Sequence, residues 1–366
     1  MNMNMENLSK FYIDGIWSAP NSGATMPVLN PSTEQQVGVV ALGTTADVDA
    51  AVAAANQAFA SYSQTTKAER LALLGKLLKV TESRFEDLAQ AMSMEMGAPI
   101  SMARDAHADA ALGHLQGFIE ALEQLREREV LANGDIQLRE PIGVCGLITP
   151  WNWPMNQIAL KVIPALATGC TCVLKPSEHT PISAMIYAEI IHEAGFPAGV
   201  FNLVQGDGPT VGSAMSRHCD IQMMSFTGST RAGTAVTRDA ADTVKRVTLE
   251  LGGKSPNLVF ADCDLQERVT ASVAECMYNT GQSCDAPTRL LVERSCFDAA
   301  VEIAKRAADD TQVGDPTQEG DHIGPLFDRI QFDRVQAMIN LGIDAVSYTH
   351  LRAHETPEHL VCRLLL

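Results

Sequence analysis

No stretch of this 366-residue sequence reaches the roughly 18 consecutive apolar residues that a membrane-crossing helix needs, so no such helix is expected. The opening residues MNMNMENLSK are polar and lack the apolar centre of a secretory signal, so none is expected. Internal repeats and low-complexity tracts are missing, and the ordinary globular composition excludes collagen-like, coiled-coil and disordered classes. Basic residues are outnumbered, 27 Lys and Arg against 44 Asp and Glu, leaving a net charge of −17. That balance argues against nucleic acid or an anionic membrane as a partner, while allowing a local basic pocket for a phosphate. Cysteine comes as an odd count, 9, with no disulfide framework, so thiols in a reducing cytoplasm are expected. Cys170 and Cys172 form a C-x-C with no second pair and no flanking His. We read them as two small buried strand residues and expect no metal.

What is present is an ordinary globular composition, 46% hydrophobic with 26 Gly and 17 Pro, and a length that suggests two domains. FYIDGIWSAP reads as a hairpin turning at Asp14-Gly15, and VGVVALG as a strand. Residues 46–60 read as an Ala-rich helix N-capped by Asp47, and 66–96 as two helices stopped by Gly97 and Pro99. Residues 101–125 read as one helix with small residues on one face. From residue 136 short β-rich runs alternate with helical segments, among them IALKVIPALATG, expected to break at Pro164 and close at Gly169. ISAMIYAEIIHEAG is expected to end at Gly195. That alternation implies a mostly parallel sheet covered on both faces.

Three segments could carry chemistry. In VLKPSE, Lys175 and Glu178 follow a strand, where ligands bind in open α/β sheets; they are either a solvated loop pair or groups for a ribose or phosphate. In SFTGSTRAG a strand turns into a helix at Ser229, which is either a plain N-cap or an anion site; GDGPTVG, containing Gly208, is a weaker version. LELGGKSPN and NTGQSCDAPTR supply a carboxylate, Glu250, and a thiol, Cys284, that follows a flexible Gly-Gln-Ser turn. A thiol is a strong nucleophile once a base or local field ionises it, and a carboxylate can take a proton from the thiol or from water.

Taken with PWNWP at 150–154, the runs VLKPSE, FTGST, LELGGKSP and GQSCDAPTR make the chain resemble the NAD(P)-dependent aldehyde dehydrogenase superfamily, from FYIDGIW to about Asp344. The resemblance implies an α/β fold: a Rossmann-like cofactor domain at 1–123 and 141–250, a projecting oligomerisation hairpin at 124–140, and an incomplete catalytic domain at 251–344. It implies that Cys284 is the nucleophile and that Asn152 and the Cys284 backbone N–H hold the oxyanion. Glu250 would activate water to hydrolyse the thioester. It assigns Ile148, Thr149, Pro150 and Trp151 to the cofactor path, Lys175 and Glu178 to the adenosine ribose, Gly208 to the adenine side and Ser229 to the pyrophosphate. NAD is the implied cofactor, with NADP the second choice because Glu178 would repel a ribose phosphate. A small aldehyde is the implied substrate, and a homo-dimer or homo-tetramer the implied assembly.

Two departures stand out. Members of the superfamily are longer and carry an E-x-F-G-P segment for the nicotinamide ribose, which has no counterpart here. Residues 345–366, AVSYTHLRAHETPEHLVCRLLL, do not continue the preceding pattern. We expect this tail to be foreign to the family, poorly packed, and part of a truncated chain with little or no activity.

Overall fold

The computed structural model describes residues 5–344, so the expectation for the 345–366 tail lies outside the described residues. Its elements run β1 (Phe11–Ile13), β2 (Ile16–Ser18), β3 (Thr25–Leu29), β4 (Gln36–Ala41), α1 (Thr45–Tyr62), α2 (Lys67–Ser83) and α3 (Phe85–Met96). Then come α4 (Ile100–Met102), a π-helical turn (Ala103–Ala108), α5 (Asp109–Gln124), β5 (Arg128–Val130), β6 (Ile136–Leu138), β7 (Val144–Ile148) and α6 (Pro154–Ala167). They continue with β8 (Thr171–Lys175), α7 (Pro181–Glu193), β9 (Phe201–Leu203), α8 (Ser213–Arg217), β10 (Met223–Gly228), α9 (Thr230–Ala240) and β11 (Arg246–Leu251). The last are β12 (Pro256–Val259), α10 (Leu265–Met277), β13 (Arg289–Val292), α11 (Phe297–Asp309) and α12 (Arg329–Asp344). The chain divides into two compact units, one made of Met1–Met96 with Met102–Leu251, the other of Gly97–Ser101 with Gly252–Leu366.

The first unit is built on a seven-stranded sheet of order β11-β10-β7-β8-β9-β1-β2. β7 through β11 are mutually parallel, and β1 joins β9 antiparallel. Strand order steps outward from β7 to β9 and then returns to β10 beside β7. Because such crossovers are right-handed, this reversal puts α6 and α7 on one face and α9 on the other. It also opens a crevice at the carboxyl ends of β7 and β10, the place where ligands settle in open α/β sheets. The core on the α1 and α9 side buries Phe11, Val48, Val52, Val144, Val173 and Met224 without measurable exposure. Removing such side chains from water is worth roughly 1.5–3 kcal/mol each. β5 and β6 form a separate antiparallel pair whose Val130, Ile136 and Leu138 are exposed.

The second unit pairs β12 with β13 in parallel. Val259 of that pair packs with Val269, Val273, Ala300 and Ile303 of α10 and α11. Among the described residues no helix is long and apolar enough to cross a membrane.

Four local readings are corrected or refined. Thr44, not Asp47, caps α1; Asp47 sits at the third helical position and accepts from Thr44 N at 2.8 Å, the reciprocal half of a capping box. The helix of 101–125 is interrupted by the π-helical turn. α6 is not broken at Pro164 but carries it inside its last turn. It starts at Pro154, where a fixed φ suits the first helical position and no amide partner is lost. Gly169 and Gly195 do end their helices, at φ +82° and +80°, a left-handed conformation in which a Cβ would be strained.

Candidate active site

The crevice at β7 and β10 collects most of the residues singled out in the sequence. β7 ends at Ile148, whose backbone registers with Lys175 of β8 on one side and Phe226 of β10 on the other. Thr149, buried, donates its N–H to the Lys175 carbonyl at 3.1 Å. That bond carries the sheet edge one residue further before Pro150, Trp151 and Asn152 turn away; these three are partly exposed. Trp153 forms the N-cap of α6, and its carbonyl accepts from Gln157 N at 3.0 Å. Glu250 on β11 registers with Thr227 of β10 and is exposed.

Lys175 is buried, and its ammonium donates to the carbonyls of Pro176 at 2.8 Å and Gly206 at 2.6 Å and to Glu178 Oε2 at 3.1 Å. An ammonium has three donors, so all three are engaged within the chain. Glu178 is more exposed than Lys175 and carries the carboxylate outward. Ser229 caps α9, its hydroxyl accepting from Ala232 N at 3.2 Å. Gly208, exposed, opens the π-helical turn Gly208–Gly212 capped by Asp207, and a Cβ there would meet nothing within 4 Å. This donor set fits a dinucleotide. A buried cation beside a carboxylate suits ribose hydroxyls, a capped helix start suits a phosphate, and open space at Gly208 suits a flat base.

One member of this group was not legible beforehand. Lys161 on α6 is buried at 7% exposure and donates to Ser225 Oγ at 2.9 Å. The pleat of β10 sends Ser225 away from the core that holds Met224 and Phe226, toward α6. Burial pushes the Lys161 ammonium down to about 8, with the Glu250 carboxylate opposing the shift. A lysine inside the apolar run IALKVIP was the available signal.

Cys284 belongs to the second unit, where it is partly exposed. Its carbonyl accepts from Gly253 N at 3.1 Å, which joins the Gly252-Gly253 segment to the thiol-bearing turn. That turn is approached through Asn279 at φ 53° and Thr280 at φ 58°, both left-handed. Gln282 locks it: its Nε2 donates to Asn279 O at 3.1 Å and its Oε1 accepts from Phe327 N at 2.9 Å. Asn279, Thr280 and Gln282 were not singled out in the sequence as anchors, since left-handed backbone at a Thr has no compositional signature.

The cysteines of C-x-C lie elsewhere. Cys172 is buried on β8 opposite Cys145 of β7, and burial raises its thiol. Cys170, also buried, is pulled down to about 6 by the Cys145 thiol, with Thr168 and the backbone N–H groups of Ile142 and Gly143 adding to the effect against burial. Among the described residues the group of metal-type ligands within 4.8 Å of one another is His218, Cys219 and Asp220.

Comparison with known proteins supplies the family. The family model for the aldehyde dehydrogenase family matches residues 17–353, which carries the match past Asp344. A 3-succinoylsemialdehyde-pyridine dehydrogenase from a Pseudomonas species is 49% identical over 343 residues, covering 93% of this chain and 71% of its own. The crystal structure of an aldehyde dehydrogenase from Bartonella henselae superposes with a TM-score of 0.90 at 50% identity, over 92% of this chain and 71% of that one. That of aldehyde dehydrogenase C from Pseudomonas syringae, a cysteine-to-alanine mutant in complex with NAD+ and octanal, gives 0.91 at 49% identity, over 94% and 71%.

Proposed function

The chain belongs to the aldehyde dehydrogenase family, and from that premise we propose that it oxidises an aldehyde to a carboxylic acid through a covalent Cys284 intermediate, with NAD as cofactor. The single observation that carries the reading is Cys284 itself: a partly exposed thiol on a strained, locked turn, in a motif that resembles the family's nucleophile. NAD as the cofactor is supported by the NAD+ in the Pseudomonas syringae structure and by the Lys175, Glu178, Gly208 and Ser229 donor set.

In the proposed sequence the Cys284 thiolate adds to the aldehyde carbon, forming an S–C bond and an oxyanion. The Asn152 side-chain amide and the Cys284 backbone N–H donate to that oxyanion; one such donor is typically worth roughly 10²–10³ in rate. When bound, NAD supplies the acceptor for the hydride that leaves as the thioester forms. Glu250 then takes a proton from water, which attacks the thioester and releases the acid and the thiolate. Glu178 accepts from the ribose hydroxyls and Lys175 joins it by exchanging one of its three present acceptors for the ribose, Ser229 holds the pyrophosphate, and Ile148 to Trp151 line the path between. Glu178 favours NAD over NADP. We further propose that the unit ending at Leu251 is the cofactor domain, that the unit from Gly252 is catalytic, and that the exposed β5–β6 hairpin joins copies of the chain into a dimer or tetramer.

The test is NADH absorbance with octanal, followed by intact-mass measurement of the acylated protein, for the parent and Cys284→Ala. Against the little or no activity expected from the sequence, the proposal expects NADH and an adduct in the parent and neither in the variant. NAD binding with no adduct and no NADH would instead make the chain a nucleotide-binding protein without turnover. Release that depends on added coenzyme A would make it a CoA-acylating enzyme, against the role given to Glu250.

A further inference from the structure

We infer that His107 is a positioning residue for Asn152, acting through the face of the Trp153 indole. The inference rests on the reading above, in which Asn152 donates to the oxyanion.

His107 sits in the π-helical turn Ala103–Ala108 that leads into α5, and it has no exposed surface. A π-turn inserts one residue into a helix and re-aims the side chains around it. Here it presents the imidazole to Trp153: the ring centroids are 4.2 Å apart and the planes 20° from parallel, a stacked pair. Trp153 is bonded in sequence to Asn152 and to Pro154, the first residue of α6. The peptide that carries the Asn152 amide is therefore held from two directions. On one side Thr149 N is tied to the Lys175 carbonyl at 3.1 Å. On the other the Trp153 carbonyl is tied to Gln157 N at 3.0 Å, while its ring is pinned against a fully buried partner. A second bridge between α5 and α6, His114 to Asn156 at 2.6 Å, keeps the two helices in step.

Trp153 is partly exposed, and on its buried side the imidazole of His107 is the stacked partner that sets the ring plane. Without the imidazole a void would open on its buried side, and the ring would rotate toward it. The strain would fall on the adjacent peptide, which is the one that carries Asn152. A donor aimed at a developing charge tolerates little of this, and a displacement near 1 Å costs about 10²-fold in rate.

Two variants separate stacking from other roles: His107→Ala removes the ring, and His107→Phe keeps a flat ring without nitrogen. Two measurements are made on each, hydrogen exchange of the peptide covering 149–157 and single-turnover NADH formation alongside the NAD dissociation constant. For His107→Ala, exchange in 149–157 is expected to rise about tenfold with the rest of the chain unchanged. The acylation rate is expected to fall by about 10²-fold at an unchanged NAD dissociation constant. His107→Phe should restore both to near the parent. The inference is overturned if His107→Phe behaves like His107→Ala, if exchange rises throughout the chain, or if exchange in 149–157 stays at the parent level. A parent that forms no NADH would sink the oxidation reading, whereas the exchange result would still decide whether His107 clamps this loop.

Discussion

Lys161 donates to Ser225 Oγ at 2.9 Å from inside a helix–sheet layer, where an ammonium has little water. Burial lowers its proton affinity to about 8, below the ordinary 10.5. A lysine depressed in the folded state is protonated less readily there than in the unfolded chain, so between about 8 and 10.5 the unfolded state binds more protons. Stability should therefore rise with pH across that window. Thermal melts of the parent and Lys161→Met at pH 7.5 and pH 10 check this: the parent should gain relative to the variant at the higher pH, and a constant gap would count against it.

Glu95 gives the opposite dependence. It lies on α3, fully buried against the start of α7, accepting from Ile182 N at 2.6 Å and Ser183 N at 3.0 Å. Burial raises its carboxyl to about 7, with those hydrogen bonds opposing the shift. An acid whose folded value is raised carries no penalty below about 4.5 and its full penalty above about 7. At roughly 1.4 kcal/mol per unit, that penalty is on the order of 3 kcal/mol. Glu95→Gln should thus be clearly less stable than the parent at pH 5, with the difference shrinking or reversing at pH 8. An equal loss at both values would show that the carboxyl does not titrate in this range.

The cofactor preference should follow Glu178, the less buried partner of the Lys175 pair. Two like charges about 4 Å apart cost about 4 kcal/mol at an effective dielectric of 20, before side-chain rotation relieves part of it. Glu178→Ser should tighten NADP binding relative to NAD by tenfold or more. Fluorescence titrations with both nucleotides measure the ratio, and no change in it would remove Glu178 from the discrimination.

Glu250→Gln should slow thioester hydrolysis more than its formation, since the amide keeps the shape and loses the basic oxygen. Stopped-flow traces should show a rapid burst of NADH followed by a slow phase. Loss of the burst itself would assign Glu250 to activation of Cys284 instead.

The sheet and its crevice were legible because β7 to β11 are short runs separated by helices, and because Ile148 and Lys175 close their strands while Ser229 follows one place past another. Ile148, Lys175 and Ser229 could be placed at one edge on that basis alone. Lys161 and His107 could not. Each sits inside an apolar or Ala-rich helical run, and what makes it matter is the neighbour that tertiary packing supplies, Ser225 and Trp153 respectively. Pro164 misled for a similar reason: a proline near a helix's end forfeits few internal bonds, so α6 continues through it.

Thr280 spends the native state at φ 58°, a region that a β-branched residue reaches only at a cost of about 1–2 kcal/mol. Glycine would carry no such cost, and where that relief exceeds the hydrogen bond the Thr280 hydroxyl donates to the Gly324 carbonyl at 3.1 Å and the added freedom of the unfolded chain, Thr280→Gly raises the melting temperature. It would also loosen the approach to Cys284, and the thiol should then alkylate at an altered rate. Heat tolerance and nucleophile placement therefore pull in different directions at one position. A laboratory selection for thermal survival alone would be drawn to this turn, and would be expected to yield sturdier, slower proteins. Melting and alkylation measured on the same variant would show whether the two properties separate, and parallel gains in both would refute the trade.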